Sequence, residues 1–279
     1  MKEEFFIKQF DSRYIGDDGA ALKMENVKCK IENEIIASDS FFEDVHFKKE
    51  WMSLEDISYK ASLVNISDMI VMNAKPVFAI LNVGFPKSFS LKDIKNLAEG
   101  FKKAAREYHY EIIGGDTIRN NKIAISVTHI GFTKKAVFRK AKLNEYVAFT
   151  GTLGSSAKDL KEALRFGKIN KNSKLIKPLL RDKFFYKASK YITAACDISD
   201  SLFKELERIS KMSKIGYKFL KNYDKNIGCS GEEYEILFTF PKKNIAAIKH
   251  IARITRTKIT IFAVTKRGKY RSLCRENHF

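Results

Sequence analysis

Acidic residues recur along this chain in short, often glycine-flanked segments. Asp17 and Asp18 lie in Gly16-Asp17-Asp18-Gly19, Asp39 follows Ala37-Ser38, and Asp116 follows Gly114-Gly115. Asn65 and Asp68 share Val64-Asn65-Ile66-Ser67-Asp68, Asp197 and Asp200 bracket Ile198-Ser199, and Ser230-Gly231 leads into Glu232, Glu233 and Glu235. Carboxylates in this setting suit Mg²⁺, which takes oxygen ligands and shares them with phosphate. Glycine lets backbone N–H groups approach those phosphates closely. The chemistry that needs both is phosphoryl transfer from a nucleotide triphosphate, whose negative charge must be offset by cations. No G-x-x-x-x-G-K-[ST] loop occurs, so a Walker A cradle is excluded.

Each segment also has a purely structural account. Asp17-Asp18 fits a solvated turn, Gly114-Gly115-Asp116 a hairpin turn, and the Glu232–Glu235 cluster a solvated strand edge. Asp197 ends a strand, and Ser199 or Asp200 would cap the helix that follows. His46 fits a solvated histidine as well as a ligand. Asn65 and Asp68, spaced i and i+3, form a polar stripe beside Ile57, Ala61, Val64 and Met72.

These residues need elements to hold them. Short β-branched or aromatic runs predict strands at Glu34–Ser38, Val77–Gly84, Ile112–Ile113, Ile123–Gly131, Tyr146–Thr150, Ala194–Cys196, Ile236–Phe240 and Ile259–Val264. Helices are predicted at Leu54–Met72, Leu91–Tyr108, Ser155–Phe166, Pro178–Lys190, Ser199–Met212 and Lys243–Ile254. Ser53 with Asp56 and Ser90 with Asp93 mark two helix starts. The mixture is α/β plus α+β. A basic, glycine-poor stretch at 133–145 divides it, with the boundary placed between 1–135 and 136–279.

Length and composition agree with a globular chain: 279 residues, 44% hydrophobic, 30% charged. The start Met1-Lys2-Glu3-Glu4 lacks a signal-peptide pattern and no long apolar run occurs, so a cytoplasmic protein without a membrane span is expected. Cys29, Cys196, Cys229 and Cys274 form no C-x-x-C pair, and reduced thiols are expected in that compartment. The net charge of +19 suits anionic substrates or nucleic acid, but the lysines are dispersed without a basic tail.

Taken in order, the segments resemble the thiamine-monophosphate kinase family, within the superfamily of aminoimidazole ribonucleotide synthetase and selenophosphate synthetase. The resemblance rests on GDDGAAL from Gly16, SDSFFEDVHF from Ser38, DISYKASLVNISDM from Asp56, and IIGGDTIR from Ile112. TGTLGSSAKDL from Thr150, DISDSL from Asp197 and SGEEYEILF from Ser230 complete it. It implies a two-domain aminoimidazole ribonucleotide synthetase-like fold, whose N-terminal domain supplies the dimer sheet, with ATP between the domains. The implied reaction is direct in-line transfer from ATP to thiamine monophosphate, giving ADP and thiamine diphosphate. Asp18, Ser38, Asp39, Asp68, Asp116, Asp197 and Asp200 would hold several Mg²⁺ ions. Gly115, Asp116, Arg139 and Ser199 would contact ATP, His46 and Glu232 would lie at the thiamine-phosphate site, and Asp116, Arg139 and Asp39 would be catalytic. A homodimer binding neither nucleic acid nor membrane is implied.

The chain departs from the family pattern at Asn73, Ser201 and Glu233, and at its tail, Arg275-Glu276-Asn277-His278-Phe279, where an aromatic residue usually meets the thiamine ring. The alternative is a related ATP-dependent synthetase. Selenophosphate synthesis lacks its early Cys here, and hydrogenase maturation its terminal one. A more distant alternative is a basic nucleic-acid-binding protein.

Overall fold

The computed structural model of the chain describes residues 17–18, 20–23 and 33–274. Gly16, Gly19, Cys29 and the tail 275–279 lie outside the described residues.

The first sheet is built from β1 (Ala20–Lys23), β2 (Asn33–Phe42), β3 (Lys75–Phe85), β4 (Glu111–Arg119) and β5 (Ala124–Thr133). Helix α1 (Leu54–Val71) joins β2 to β3, and α2 (Leu91–Tyr108) joins β3 to β4. Strand order is β1-β2-β5-β3-β4, antiparallel except for β3 and β4. That pair is parallel because α2 carries the chain back between them. Along β5 every second residue is buried, the period of a sheet covered more fully on one face. Ser53 and Ser90 start the two helices as their sequence predicts. The Ser53 hydroxyl accepts the Asp56 N–H at 3.1 Å, and Ser90 with Asp93 closes a full capping box.

Helix α1 is not the one-sided helix expected from its stripe of polar residues. It packs on α2, β2 and β5, and on its other side meets the second half of the chain. Ser58, Lys60, Ser62, Asn65 and Ser67 are therefore buried along with Ile57, Leu63, Ile66 and Met69. Helix α2 comes this close because residue 100 is glycine, where a Cβ would meet Glu55 O and Ser58 Oγ at 2.1 Å.

The second half contains β6 (Glu145–Thr150), α3 (Ser155–Phe166), α4 (Asp182–Ala188), β7 (Ala194–Asp197), α5 (Leu202–Ser213), β8 (Ile215–Phe219), the one-turn α6 (Lys225–Gly228), β9 (Ile236–Pro241), α7 (Ile245–Ile254) and β10 (Ile259–Arg267). Its sheet is ordered β7-β9-β6-β10-β8 and is antiparallel throughout. One apolar core joins the halves: Leu63, Ile66 and Ile70 of α1 pack with Phe184, Phe185, Phe238, Phe240 and Ile248. Fully burying each such side chain contributes roughly 1.5–3 kcal/mol. Among the described residues no helix is long and apolar enough to cross a membrane.

Several local expectations change. Strand β4 continues through Gly114-Gly115-Asp116 where a hairpin turn competed, because pairing with β3 resumes at Gly114 after a bulge that leaves Ile113 out of register and then holds to Arg119. Helix α5 starts at Leu202, since neither Ser199 nor Asp200 caps it; the Ser201 hydroxyl accepts the Lys204 N–H instead. The glutamates after Gly231 are not a solvated edge: Glu233 and Glu235 are fully buried. Lys174 and Arg181 hold Glu235, while the N–H groups of Gly154 and Ser156 hold Glu233.

The thiols also depart from expectation. Cys229 and Cys274 form a disulfide, bringing the end of the described chain onto the loop before Glu232, while Cys196 is a buried thiol. Closing a loop over a sequence separation of 45 restricts the unfolded chain. The chain-entropy account puts that contribution at roughly 4 kcal/mol. Titration in denaturant without reductant should find two of the four thiols reactive, those of Cys29 and Cys196. Four reactive thiols would mean the bond is not formed.

Candidate functional site: a carboxylate cluster between the two sheets

The central carboxylates come from four separate elements. Asp39 lies on β2, Asp68 on α1, Asp197 at the end of β7, and Asp18 just before β1. Asp18, Asp68 and Asp197 each bring an oxygen within 4.8 Å of the others. Asp39 adjoins them closely enough for its charge to act on Asp68 and Asp197.

Neighbouring polar groups fix the carboxylates in place. Ser67 Oγ donates to Asp197 Oδ2 at 2.8 Å, and Asn65 Nδ2 donates to Asp39 Oδ2 at 2.9 Å. Asn65 Oδ1 accepts the His129 N–H at 3.0 Å and lies 2.7 Å from His129 Nδ1, which must therefore carry the ring proton. Burial holds the His129 imidazolium down to about 3, so the ring is neutral. The polar stripe seen on α1 is thus a buried set of supports.

Burial and mutual repulsion disfavour the charged forms. Burial first, then the charges of Asp39, Asp197 and Asp18, pushes Asp68 well above the usual carboxylate range. Asp18 is pushed up to about 7 and Asp197 to about 8, in each case mainly by burial. Asp18 Oδ2 and Asp197 Oδ1 are buried and have no hydrogen-bond partner among the described residues. Buried acceptors in that state call for a cation or protons.

Arg139 borders this cluster. Its guanidinium pairs with Asp18 and lies 3.7 Å from Glu205, and its backbone N–H donates to Asp17 Oδ1 at 2.7 Å. Glu205, fully buried on α5, is pushed up to about 7 by burial against the pull of Arg208 and Arg139. Arg208 in turn pairs with Asp200. Asp200 is therefore engaged by a cation on α5 rather than joined to the three central carboxylates.

Two other expected ligands lie away from the cluster. Ser38 is exposed and its hydroxyl bonds Thr128 Oγ1 at 2.8 Å, because strand alternation turns it from the face Asp39 occupies. Gly115 lies in the same sheet row as Asp39, through Val127 and Leu81. Three strand spacings of about 4.8 Å put it roughly 14 Å away. Asp116 falls in the next row with Asn82, whose Oδ1 accepts the Asp116 N–H at 3.1 Å. Gly115 has φ 144°, and a Cβ there would lie 1.6 Å from Leu81 O, so the strand needs glycine at that point.

The expected substrate residues gather at a cleft of about 400 Å³, lined by His46, Phe47, Trp51, Leu160, Ser199 and Glu232 among others. His46 Nδ1 accepts the Phe42 N–H at 3.0 Å and its ring stacks on Phe41. Glu232 has left-handed backbone, φ 57°; its N–H donates to Ser199 O at 2.6 Å, and its carboxylate receives Lys60 Nζ at 2.5 Å and the Tyr234 hydroxyl at 3.1 Å. Lys60 is completely buried, with its ammonium 5.3 Å from the Phe41 ring centroid. Lys60, Glu205 and His129 escaped the sequence reading. A lysine among apolar residues of a helix, and a Glu205–Arg208 pair at i, i+3, were the available signals.

Two sheets meeting at a shared carboxylate site define a protein of the AIR synthase-related class. The family model for AIR synthase related protein, N-terminal domain, matches residues 16–133. The thiamine-monophosphate kinase of Buchnera aphidicola subsp. Acyrthosiphon pisum is 32% identical over 86% of this chain and 80% of its own length. That of Bacillus subtilis is 34% identical over 75% and 67%. A solved structure of AaThiL complexed with AMPPCP and TMP superposes with a TM-score of 0.84 at 25% identity, covering 96% of this chain and 91% of that one. The chain belongs to the thiamine-monophosphate kinase family.

Proposed function

We propose that this chain transfers the γ-phosphoryl group of ATP to thiamine monophosphate, giving ADP and thiamine diphosphate by direct in-line displacement. The observation that carries the reading is the convergence of half-buried Asp18 and Asp68 with buried Asp197, with one buried oxygen each of Asp18 and Asp197 left unpaired among the described residues. An all-oxygen, carboxylate-rich donor set fits Mg²⁺. Asp18, Asp39, Asp68 and Asp197 would hold it, with Ser38, Asp116 and Asp200 completing further sites around the nucleotide. Bound Mg²⁺ supplies charge neutralisation between the two phosphate groups that must approach each other.

The chain's own residues do the rest. Arg139 supplies a fixed guanidinium beside the cluster, where charge on the transferred group develops. Gly115 and Ser199 offer backbone to the nucleotide, and His46 and Glu232 orient the acceptor. No protein base of high pKa is required, because a phosphate monoester has its second pKa near about 6 and is mostly dianionic at neutral pH.

We place the division between the domains near residue 135, between β5 and β6. We further propose a homodimer through the free edge of β4, along which Ile113 and Ile118 are exposed. Such pairing would bring Gly115 and Asp116 of one protomer to the neighbour's nucleotide. The cytoplasm, where ATP is available, is the proposed location. The Cys229–Cys274 bond runs against that placement, since disulfides are rare in reducing compartments.

The test is ADP release by purified protein offered thiamine, thiamine monophosphate and an aminoimidazole ribonucleotide in turn. Release should require thiamine monophosphate and Mg²⁺ together, and light scattering should give twice the mass of the chain. Turnover with another acceptor and none with thiamine monophosphate would refute the assignment.

A further inference from the structure

Glu205 lies where two guanidiniums meet. It projects from the first turn of α5, is fully buried, and receives Arg208 Nη1 on Oε1 at 2.5 Å. Its Oε2 stands 3.7 Å from Arg139 Nη2. Each arginine also reaches a carboxylate of the proposed magnesium sites, Arg139 pairing with Asp18 and Arg208 with Asp200. Arg208 spans its two acids with separate nitrogens, Nη1 on Glu205 and Nη2 on Asp200, as a planar guanidinium can. Charge therefore alternates in the order Asp18, Arg139, Glu205, Arg208, Asp200. Helix α5 is the scaffold of this row: it carries Glu205 and Arg208, and at its far end Ser213 Oγ donates to Arg139 O at 3.2 Å.

The ends of the row have a task that its middle does not. Asp18 and Asp200 are wanted as metal ligands, and an acid already held by a guanidinium binds an ion with an affinity reduced by the fraction of time it is released. Turning these acids to magnesium takes one counter-charge from each arginine, and Arg139 is buried. A buried charge left without a partner is strongly destabilising. Glu205 touches both guanidiniums and is not one of the three converging carboxylates, so it can stay with the arginines throughout. We infer that Glu205 is a positioning residue that keeps Arg139 and Arg208 in place while Asp18 and Asp200 exchange these guanidiniums for magnesium. The assignment rests on the kinase reading above. Without Glu205 the arginines hold Asp18 and Asp200 more firmly, and magnesium binds less well. Arg208 is the opposing member, because it competes with the ion for Asp200. Removing one or the other therefore shifts magnesium affinity in opposite directions, which a merely structural ion pair does not do.

The test is calorimetric titration of the full chain with magnesium chloride alone, followed by the magnesium dependence of turnover. Glu205→Gln should raise the dissociation constant for magnesium at least about tenfold, equivalent to about 1.4 kcal/mol. Arg208→Met should lower it about threefold, as follows if Asp200 is paired about two-thirds of the time. Glu205→Asp, which keeps the charge, should recover most of the parent's affinity. At saturating magnesium, kcat of Glu205→Gln should fall about tenfold or more, since displacing a group by an ångström costs up to about a hundredfold. Its KM for thiamine monophosphate should stay within about twofold of the parent, because no contact to the acceptor is removed. An unchanged magnesium affinity in folded Glu205→Gln, even with kcat reduced, or an Arg208→Met protein that binds magnesium no more tightly than the parent, overturns the positioning assignment alone. If Glu205→Gln does not fold, the Arg208→Met titration decides by itself. A parent protein that binds no magnesium, or turns over no thiamine monophosphate, overturns the kinase reading instead.

Discussion

Asp68→Asn is expected to lower kcat by at least about a hundredfold, the scale of removing one essential electrostatic group, while making the metal-free protein more stable at alkaline pH. The opposite signs follow from the position of Asp68. It sits on buried helix α1, and the charges of Asp39, Asp197 and Asp18 all bear on it. Asparagine keeps the volume and one acceptor oxygen, so the helix and its packing survive. It removes one negative charge from a place where three others repel it. Without metal that relieves strain, and each kcal/mol gained should raise the melting temperature by about 2–4 °C for a chain of this size. With metal the same change deletes a ligand. The readouts are ADP release with thiamine monophosphate and a thermal melt in EDTA at alkaline pH, where Asp68 of the parent is charged. A variant that melts lower than the parent in EDTA, or that keeps full turnover, would show that Asp68 is not a metal ligand held under repulsion.

Much of the scaffold around that helix was legible from residue types. Ser53 and Ser90 start their helices as capping chemistry dictates, and β7 ends at Asp197 where its apolar run meets an acid. Local signals failed where tertiary neighbours decide the outcome. Gly114-Gly115 looks like a turn, yet the length of pairing with β3 keeps the chain extended. Strand β8 alternates Ile215, Tyr217 and Phe219, but Gly216 and Lys218 between them made so short a run easy to pass over. On helix α1 only Asn65 and Asp68 stood out as a polar stripe, while its serines and Lys60 did not; only the second half of the chain, folding against the helix, makes Ser67, Asn65 and Lys60 buried supports. The acidic set could be assembled from motif order. Its division was not visible there: a tight central group, an Asp200 engaged by Arg208, and an Asp116 across the sheet depend on strand register and on α5.

The same crowding predicts how stability responds to pH and to magnesium. Asp18 at about 7, Asp197 at about 8 and Glu205 at about 7 all lie above their ordinary values of 3.8, 3.8 and 4.5, and Asp68 is raised as well. A folded state with raised carboxyl pKa values binds protons more tightly than the unfolded chain. Its stability is therefore greatest below the unfolded values and is lost as pH rises through the folded ones. His129 acts in the opposite sense, since its folded value lies below its ordinary 6.5, but that contribution is complete once pH exceeds 6.5. Between pH 6.5 and about 8.5 the carboxylates govern, and metal-free protein should lose melting temperature steadily. Magnesium replaces the protons, so its benefit should be small at the lower pH and large at the higher one. At a hundredfold excess over its dissociation constant a bound ion adds about 2.7 kcal/mol, enough for roughly 5–10 °C in a chain of this size. Melts in EDTA and in magnesium chloride, at matched ionic strength across that range, measure both effects. A melting temperature in EDTA that rises with pH, or a magnesium shift equal at both ends, would mean that the buried carboxylates do not form a divalent-cation site.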